Sequence, residues 1–186
     1  MAKNDGTTAD AVEQAVRLHA GLHLRELART GGFALGTLRH HLRALERQSK
    51  VRALRDGGRL RYFPYQMLPR GQAPLLAALR VERQRTVAAS LLANGPSTRK
   101  QLLERTRLPP STLSESLGGL QRGGLVQATT VEDRTVYSLA SVDIVAELLR
   151  RYRTSFLDRS VDHALDMFSD VSGPNRPAHD AGPNEL

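Results

Sequence analysis

The most informative segment of the chain reads LGTLRHHLRALERQSKVRALRDGGRLRYF from residue 35 to residue 63. Its first part places Leu38, Leu42 and Leu45 at spacings of four and three residues, which is the period of one apolar helix face. We therefore expect a helix from about residue 36 to residue 48. Its arginines fall on the side away from the leucines: Arg39, Arg43 and Arg47.

The second part of this segment predicts a β-hairpin. Two short stretches, 51–55 and 59–63, flank the turn Asp56-Gly57-Gly58. A glycine-rich turn between such stretches supplies the positive φ angles that a tight hairpin needs.

Two further helices are expected in front of the segment. Asp10 and Glu13 can form a capping pair, and apolar residues at helical spacing follow as far as Gly21. A short helix over 24–29 is ended by Gly31 and Gly32. The predicted order is three helices followed by a hairpin.

The chain repeats itself at an offset of 75 residues, so that Val12 aligns with Val87 and Tyr62 with Tyr137. The matched positions are mostly apolar residues of the helices and the hairpin. The other first-copy members of matched pairs are Leu27, Thr37, Leu38, Leu42, Leu45, Arg47, Val51, Ala53 and Arg59. The repeat predicts two copies of one small domain.

The expected boundaries follow from this repeat and from Pro- and Gly-rich stretches. We name 10–65 the first copy and 75–140 the second copy. In the second copy, Thr98 and Gln101 are expected to cap a short helix, and Pro109-Pro110 to break the chain before the next one. The other segments are a disordered N-terminus (1–9), a linker (66–74), a C-terminal helical region (141–170) and a disordered tail (171–186).

Three helices and a hairpin, with a short turn between the second and third helices, resemble the winged helix-turn-helix domain of ArsR-like and MarR-like transcription regulators. In that domain a Thr-hydrophobic-x-x-His-Leu run opens the recognition helix, and here the run spans Thr37 to Leu42. Gln48-Ser49-Lys50 stands where those regulators usually have a Gly-Leu pair.

Residues 10–170 also resemble the tandem winged-helix regulators common in archaea, including a Tyr-Arg-x-Ser-x-Leu-Asp-Arg run at 152–159. The resemblance implies a mainly α fold with small β-hairpin wings. It also implies sequence-specific binding of double-stranded DNA.

Charge separates the two copies. The chain has 27 Lys+Arg and 19 Asp+Glu, a net charge of +8. Residues 35–63 hold eight basic and two acidic residues, a net +6, whereas the equivalent 110–138 hold two basic and three acidic residues, a net −1. Because DNA phosphates favour basic surfaces, we expect the first copy to be the main reader of DNA.

The DNA-contacting residues are expected on the third helix and wing of the first copy: Thr37, Arg39, His40, Arg43, Arg47, Arg55, Arg59 and Arg61. Weaker contacts are expected from the equivalent helix of the second copy: Ser111, Thr112 and Ser114.

The C-terminal region carries an apolar stripe and net negative charge. Residues 141–186 hold five basic and eight acidic residues, a net −3, so we expect this region to lie away from DNA. We expect its stripe to form a dimer or interdomain surface, and the protein to be a homodimer. The stripe consists of Val145, Leu149, Tyr152, Phe156, Val161, Leu165 and Phe168. The alternative is that it closes the core of its own chain.

Other function classes find little support. The chain has no cysteine, no apolar run long enough to span a membrane, and none of the common phosphate-binding, zinc-protease or serine-hydrolase motifs. We expect a cytoplasmic protein that is not an enzyme and needs no cofactor. The alternative function is a tandem winged-helix scaffold for protein assembly on chromatin or the transcription machinery.

Three features have competing interpretations. His40-His41 and the group Asp162, His163 and Asp166 could be metal ligands, but a packing role for His41 and a solvated acidic face are favoured, so no metal site is predicted. Gly118-Gly119 either allows close approach of another element or marks a poorly formed helix.

Overall fold

The structure, a computed structural model, describes residues 3–66, 68–69, 71–156, 164–165 and 167–168. The described chain is mainly helical, with two small antiparallel hairpins. The elements of its first part are α1 (Lys3–Leu18), α2 (Leu24–Gly31), α3 (Leu35–Arg47), β1 (Val51–Asp56) and β2 (Arg59–Pro64).

The predicted third helix and hairpin are both confirmed. Leu38, Leu42 and Leu45 are at most 2% exposed and pack with residues of α1, α2 and the hairpin in one apolar cluster. Asp56 pairs with Arg59 across a two-residue turn in which Gly57 and Gly58 have φ of 54° and 79°. Such left-handed angles at both turn positions match the right-handed twist of the strands.

The second part repeats the order of three helices and a hairpin from α5 to β5, with one additional short strand. Its elements are α4 (Gln72–Leu79), α5 (Glu82–Asn94), β3 (Ser97–Thr98), α6 (Arg99–Thr106), α7 (Pro110–Arg122), β4 (Val126–Val131), β5 (Arg134–Leu139), α8 (Val142–Arg151) and α9 (Arg153–Phe156). Strand β5 lies between β3 and β4. The predicted capping box is present, since the backbone N–H of Thr98 donates to Oε1 of Gln101 at 2.8 Å.

Two predicted boundaries are wrong. Helix α1 begins at Lys3, within the segment expected to be disordered, so Asp10 and Glu13 lie inside the helix. Glu13 instead forms ion pairs with Arg17 and Lys50. The expected linker also becomes helical at residue 72, because α4 buries Ala73, Leu76 and Leu79 in the larger apolar core.

The described residues of the C-terminal stripe lie in the core of their own chain, which matches the alternative expectation and corrects the dimer part of the expected dimer or interdomain surface. Val145, Leu149, Tyr152, Phe156 and Leu165 are between 0% and 7% exposed. They belong to one cluster with the second copy and with two first-copy residues, because α8 packs against α4 and α5. Phe168 is partly buried against this cluster. Val161 lies outside the described residues, as do Asp162, His163 and Asp166.

Arg80 joins the first copy to the C-terminal region. Its Nε donates to the carbonyl oxygen of Ala20 at 2.7 Å, and its Nη1 donates to Oγ of Ser155 at 2.9 Å. The guanidinium lies 4.8 Å from the ring centroid of Phe156. Burial, and then the charge of Arg85, lowers the pKa of Arg80 to about 9. One arginine therefore bridges elements that are far apart in sequence.

None of the helices in the described ranges is long and apolar enough to cross a membrane.

Candidate nucleic-acid interface

Helix α3 has one buried and one exposed face. Leu38, His41, Leu42 and Leu45 are buried, whereas the predicted contact residues on the other side are exposed: Thr37, Arg39, His40, Arg43 and Arg47. His41 is 5% exposed, which confirms its packing role, and its ring meets that of His40 edge-on at 5.3 Å between centroids. The exposed face is continuous and basic.

A shallow groove of about 610 Å³ connects this face with α2 and the hairpin. Four arginines line it: Arg25, Arg39, Arg43 and Arg59. His23 holds the hairpin against α2, because its Nδ1 lies 3.1 Å from the carbonyl oxygen of Leu60. Sequence reasoning missed Arg25, although the sequence places this arginine near the start of the expected helix over 24–29.

The hairpin divides its arginines between two environments. Arg55 and Arg59 are exposed near the turn. Arg61, which was expected to contact DNA, is only 6% exposed. Its Nε donates to Asp56 at 2.5 Å and its Nη1 to the carbonyl oxygen of Gly21 at 2.8 Å. Arg61 is therefore removed from the contact set, because its guanidinium holds the hairpin to the α1–α2 turn.

The remaining basic groups are available to a ligand. In the described part of the chain, no hydrogen bond or ion pair occupies five of the exposed arginines: Arg39, Arg43, Arg47, Arg55 and Arg59. Glu46 is a partly buried carboxylate beside them in the groove. Burial, and then the charge of Glu46, raises the pKa of Tyr62 at the groove floor. A surface of this kind can bind a polyanion.

Helix α7 is the second-copy counterpart of α3, and its polar groups contact their own chain. Ser114 donates to the carbonyl oxygen of Pro110 at 2.8 Å and accepts from Arg99 at 2.6 Å. Glu115 forms an ion pair with Arg83 at 3.0 Å. Of the three residues expected to make weaker DNA contacts, Ser111 is exposed, Thr112 is half-buried and Ser114 is exposed but hydrogen-bonded.

Gly118 and Gly119 lie inside α7, which packs against α5. A Cβ atom on Gly119 would lie 2.3 Å from Nε2 of Gln84, which belongs to α5. The end of the Gln84 side chain therefore occupies the space beside Gly119, and the continuous helix α7 contradicts the interpretation of a poorly formed helix.

The helix order, the hairpin and the exposed face of α3 define a winged helix-turn-helix domain, and comparison with known proteins agrees. Residues 6–75 match the family model described as HTH_HVO_0163_N, N-terminal HTH domain. Over 117 residues the chain is 32% identical to a protein of Methanocaldococcus jannaschii described as an uncharacterized HTH-type transcriptional regulator. That match covers 63% of this chain and only 29% of the relative.

Two solved structures resemble a part of the chain. HlyU from Vibrio cholerae is 30% identical, with 45% of this chain and 90% of that chain covered and a TM-score of 0.40. The homodimeric winged helix-turn-helix DNA-binding domain of Mb0332 from Mycobacterium bovis, titled a possible ArsR-family regulator, is 24% identical, with 48% and 89% covered and a TM-score of 0.36. Both scores lie below 0.5, so the assignment rests on the element order and the family match.

Proposed function

We propose that the protein is a transcription regulator that binds double-stranded DNA sequence-specifically through the first copy. The observation that carries the proposal is the set of five unpaired arginines on α3 and the hairpin. The major groove of B-DNA admits one helix, and the phosphates beside it attract arginines at the helix ends and on the wing. The description of the relative from M. jannaschii supports the same function.

The residues divide by their place on this surface. Arg39, His40 and Arg43 lie along the exposed face of α3, where a helix in the major groove meets base edges. Arg47 at the helix end, with Arg55 and Arg59 on the wing, would meet phosphates. Thr37 in the first turn would donate to a phosphate at the groove edge.

We further propose a tandem arrangement in which the second copy is a subsidiary domain. The recurrence of three helices and a hairpin supports two domains, one from α1 to β2 and one from α5 to β5, which revises the expected bounds of 10–65 and 75–140. The internal contacts of Ser114 and Glu115 support a minor role for α7 on DNA. A scaffold role is not favoured, because it would not require +6 of charge on the third helix and wing of one copy.

A homodimer remains part of the proposal, although the C-terminal stripe cannot provide its interface while it is buried. A two-fold dimer would place two α3 helices on half-sites about one helical turn, or a multiple, apart. The recovered sites would then be palindromic.

Selection of bound sequences from a random duplex library tests binding, specificity and half-site spacing together. The proposal predicts a shared motif, and the dimer predicts two inverted copies of it. Recovery of no motif would contradict sequence-specific binding. Recovery of a single, unrepeated motif would contradict the dimer if light scattering of the full chain bound to DNA also showed one protein molecule per duplex.

A further inference from the structure

Helix α6 and the turn after it are strongly basic, although the next helix, α7, has no net charge. Residues 99–107 hold four basic residues and one acidic residue, Glu104, a net +3. The equivalent residues 24–32 of the first copy hold two basic residues and one acidic residue, a net +1. The charge relation between the copies is therefore reversed here, because the second copy is the more basic one in front of its third helix.

The four basic side chains form a surface that we name the α6 patch. Two of them are oriented by neutral groups of the second copy. Nη2 of Arg99 donates to Oγ of Ser114 at 2.6 Å, and Nη1 of Arg105 donates to Oγ of Ser97 at 2.8 Å. Because neither serine carries a charge, both guanidinium groups are held in place without being neutralised. All four members of the patch are exposed: Arg99, Lys100, Arg105 and Arg107.

Lys100 and Arg107 are the two members that are available to a ligand. In the ranges that the structure describes, no hydrogen bond or ion pair engages either side chain. Lys100 aligns with Arg25, which lines the groove beside α3. Arg107 aligns with Gly32, and the two residues have left-handed φ angles of 54° and 70°. The second copy therefore carries a guanidinium group where the first copy has a glycine.

Helix α7 relates the α6 patch to the first wing. Near the end of α7, Gly119 lines a cleft together with Arg55 of the first hairpin. Near its beginning, the carbonyl oxygen of Pro110 and Oγ of Ser114 accept hydrogen bonds from Arg99. At 1.5 Å per residue, Pro110 and Ser114 lie about 8–14 Å from Gly119 along the helix axis. This distance is the length of roughly two to four base pairs.

We propose that the α6 patch binds the phosphate backbone of the duplex that the first copy reads, on the flank next to the first wing. A duplex bound to the wing continues beyond it, so its flank is a polyanion within reach of the patch. Lys100 and Arg107 would contact phosphates, while Arg99 and Arg105 add charge from fixed positions. The patch would add affinity without sequence preference, because phosphate contacts carry no sequence information. This inference rests on the proposed function.

Two duplexes test the placement. One is the motif recovered by selection, and the other is the same motif with one helical turn, about ten base pairs, of unrelated sequence at each end. The full-length wild type should bind the flanked duplex more tightly than the motif alone. Exchanging the flanking sequence for another should leave this affinity unchanged.

Lys100→Ala with Arg107→Gly removes two charges and keeps the backbone favourable, since alanine suits a helix and glycine suits a left-handed φ. On the flanked duplex, this variant should bind about fivefold more weakly. It should also lower the slope of log affinity against log salt by about 2 for each protein molecule bound. On the motif alone it should bind like the wild type. Arg150→Ala with Arg151→Ala removes the same charge from exposed residues of α8 and should change neither quantity.

The outcomes separate this inference from the proposed function. An unchanged salt slope of the Lys100/Arg107 variant on the flanked duplex, or an equal loss in the control pair, would overturn the α6 contact. An equal loss on both duplexes would overturn its placement on the flank, and a dependence on flanking sequence would overturn a contact to phosphates alone. Wild-type binding to the motif with no gain from the flanks would contradict only the α6 patch. A protein that binds neither duplex would contradict the proposed function itself.

Discussion

The α3–β1–β2 unit of the first copy and the α7–β4–β5 unit of the second have the same order of elements, but their surfaces differ in charge. Leu38, Leu42 and Leu45 align with Leu113, Leu117 and Leu120, and all six leucines are at most 2% exposed. The outward positions differ, since Arg39 is replaced by Ser114, His40 by Glu115 and Arg43 by Gly118. The buried leucines at helical spacing stabilise the same fold in both copies. The exposed residues between them determine what the surface can bind.

The two wings differ in the same way. Gly57 and Gly58 form the first turn, whereas Glu132 and Asp133 occupy left-handed positions in the second, with φ of 47° and 59°. A non-glycine residue in this region is uncommon. The second wing therefore carries two carboxylates at the positions where the first wing has two glycines.

The largest effect is expected from variants that remove the basic side chains by which the first copy differs from the second. Arg39→Ala, Arg43→Ala and Arg59→Ala together should weaken specific DNA binding at least about 100-fold, because each base-edge contact contributes ~1–3 kcal/mol. Fluorescence anisotropy with a selected duplex measures this loss, and circular dichroism verifies the fold. Unchanged affinity in a folded triple variant would support the scaffold alternative.

A smaller effect is expected from two double variants, one in each copy. Each removes two arginines, at positions that are equivalent in the repeat. Arg47→Ala with Arg59→Ala should weaken binding by about tenfold and lower the slope of log affinity against log salt by about 2. Arg122→Ala with Arg134→Ala changes the equivalent positions of the second copy and should leave both quantities nearly unchanged. Equal losses in the two pairs would contradict the assignment of the main reader to the first copy.

Arg61 provides a contrast within the first wing. Its counterpart in the second copy is Val136, so the polar tie to Gly21 exists only in the first copy. Arg61→Ala should lower the free energy of unfolding by about 1–3 kcal/mol, because it leaves the carbonyl oxygen of the buried Gly21 without its donor. Arg59→Ala should show the reverse pattern, with weaker DNA binding and unchanged stability in urea denaturation. A stable Arg61→Ala that binds DNA poorly would return Arg61 to the contact set.

The smallest effect is a pH dependence that arises from His19, which joins the first copy to the C-terminal region. His19 Nδ1 lies 2.9 Å from Oγ of Ser155, whereas its counterpart Asn94 is exposed. Burial, and then Arg80, lowers the pKa of His19 below 6.5. The unfolded chain therefore binds more protons, so stability is full above pH 6.5 and falls as the pH drops from there through the folded-state pKa.

His19→Gln removes the titrating group and keeps a polar side chain opposite Ser155. Urea denaturation at neutral and mildly acidic pH should show a smaller loss of stability in this variant than in the wild type. An identical pH profile would exclude His19 as the cause.

Local signals explain which parts of the structure could be predicted. The leucine period of α3 and the turn Asp56-Gly57-Gly58 involve residues close in sequence, so both elements were predicted within one or two residues. Arg61 could not be placed from sequence, because its burial depends on the carbonyl of Gly21, which lies 40 positions away. The alternation of side chains along a short strand does not show that one of them will bond to a distant carbonyl group.

The dimer part of the expectation for the C-terminal stripe was wrong for a related reason. An amphipathic helix shows that one face is covered but not by what. Val145 and Leu149 are covered by their own chain, because α8 packs against α5 and against α4, of which only the first three residues fall in the expected linker. The sequence shows that α4 is rich in Ala and Leu and follows Pro- and Gly-containing residues. It does not show which helix packs against α4, and that tertiary contact was the missing information.

The central claim, that α3 of the first copy reads base edges, is tested most directly by Arg43→Ala. Its affinity should be measured against every single-base variant of the selected duplex. The account predicts that Arg43→Ala loses discrimination at one or two adjacent base pairs and keeps the wild-type preference elsewhere. An equal loss for all duplexes, or an unchanged preference at every position, would contradict the placement of α3 in the major groove.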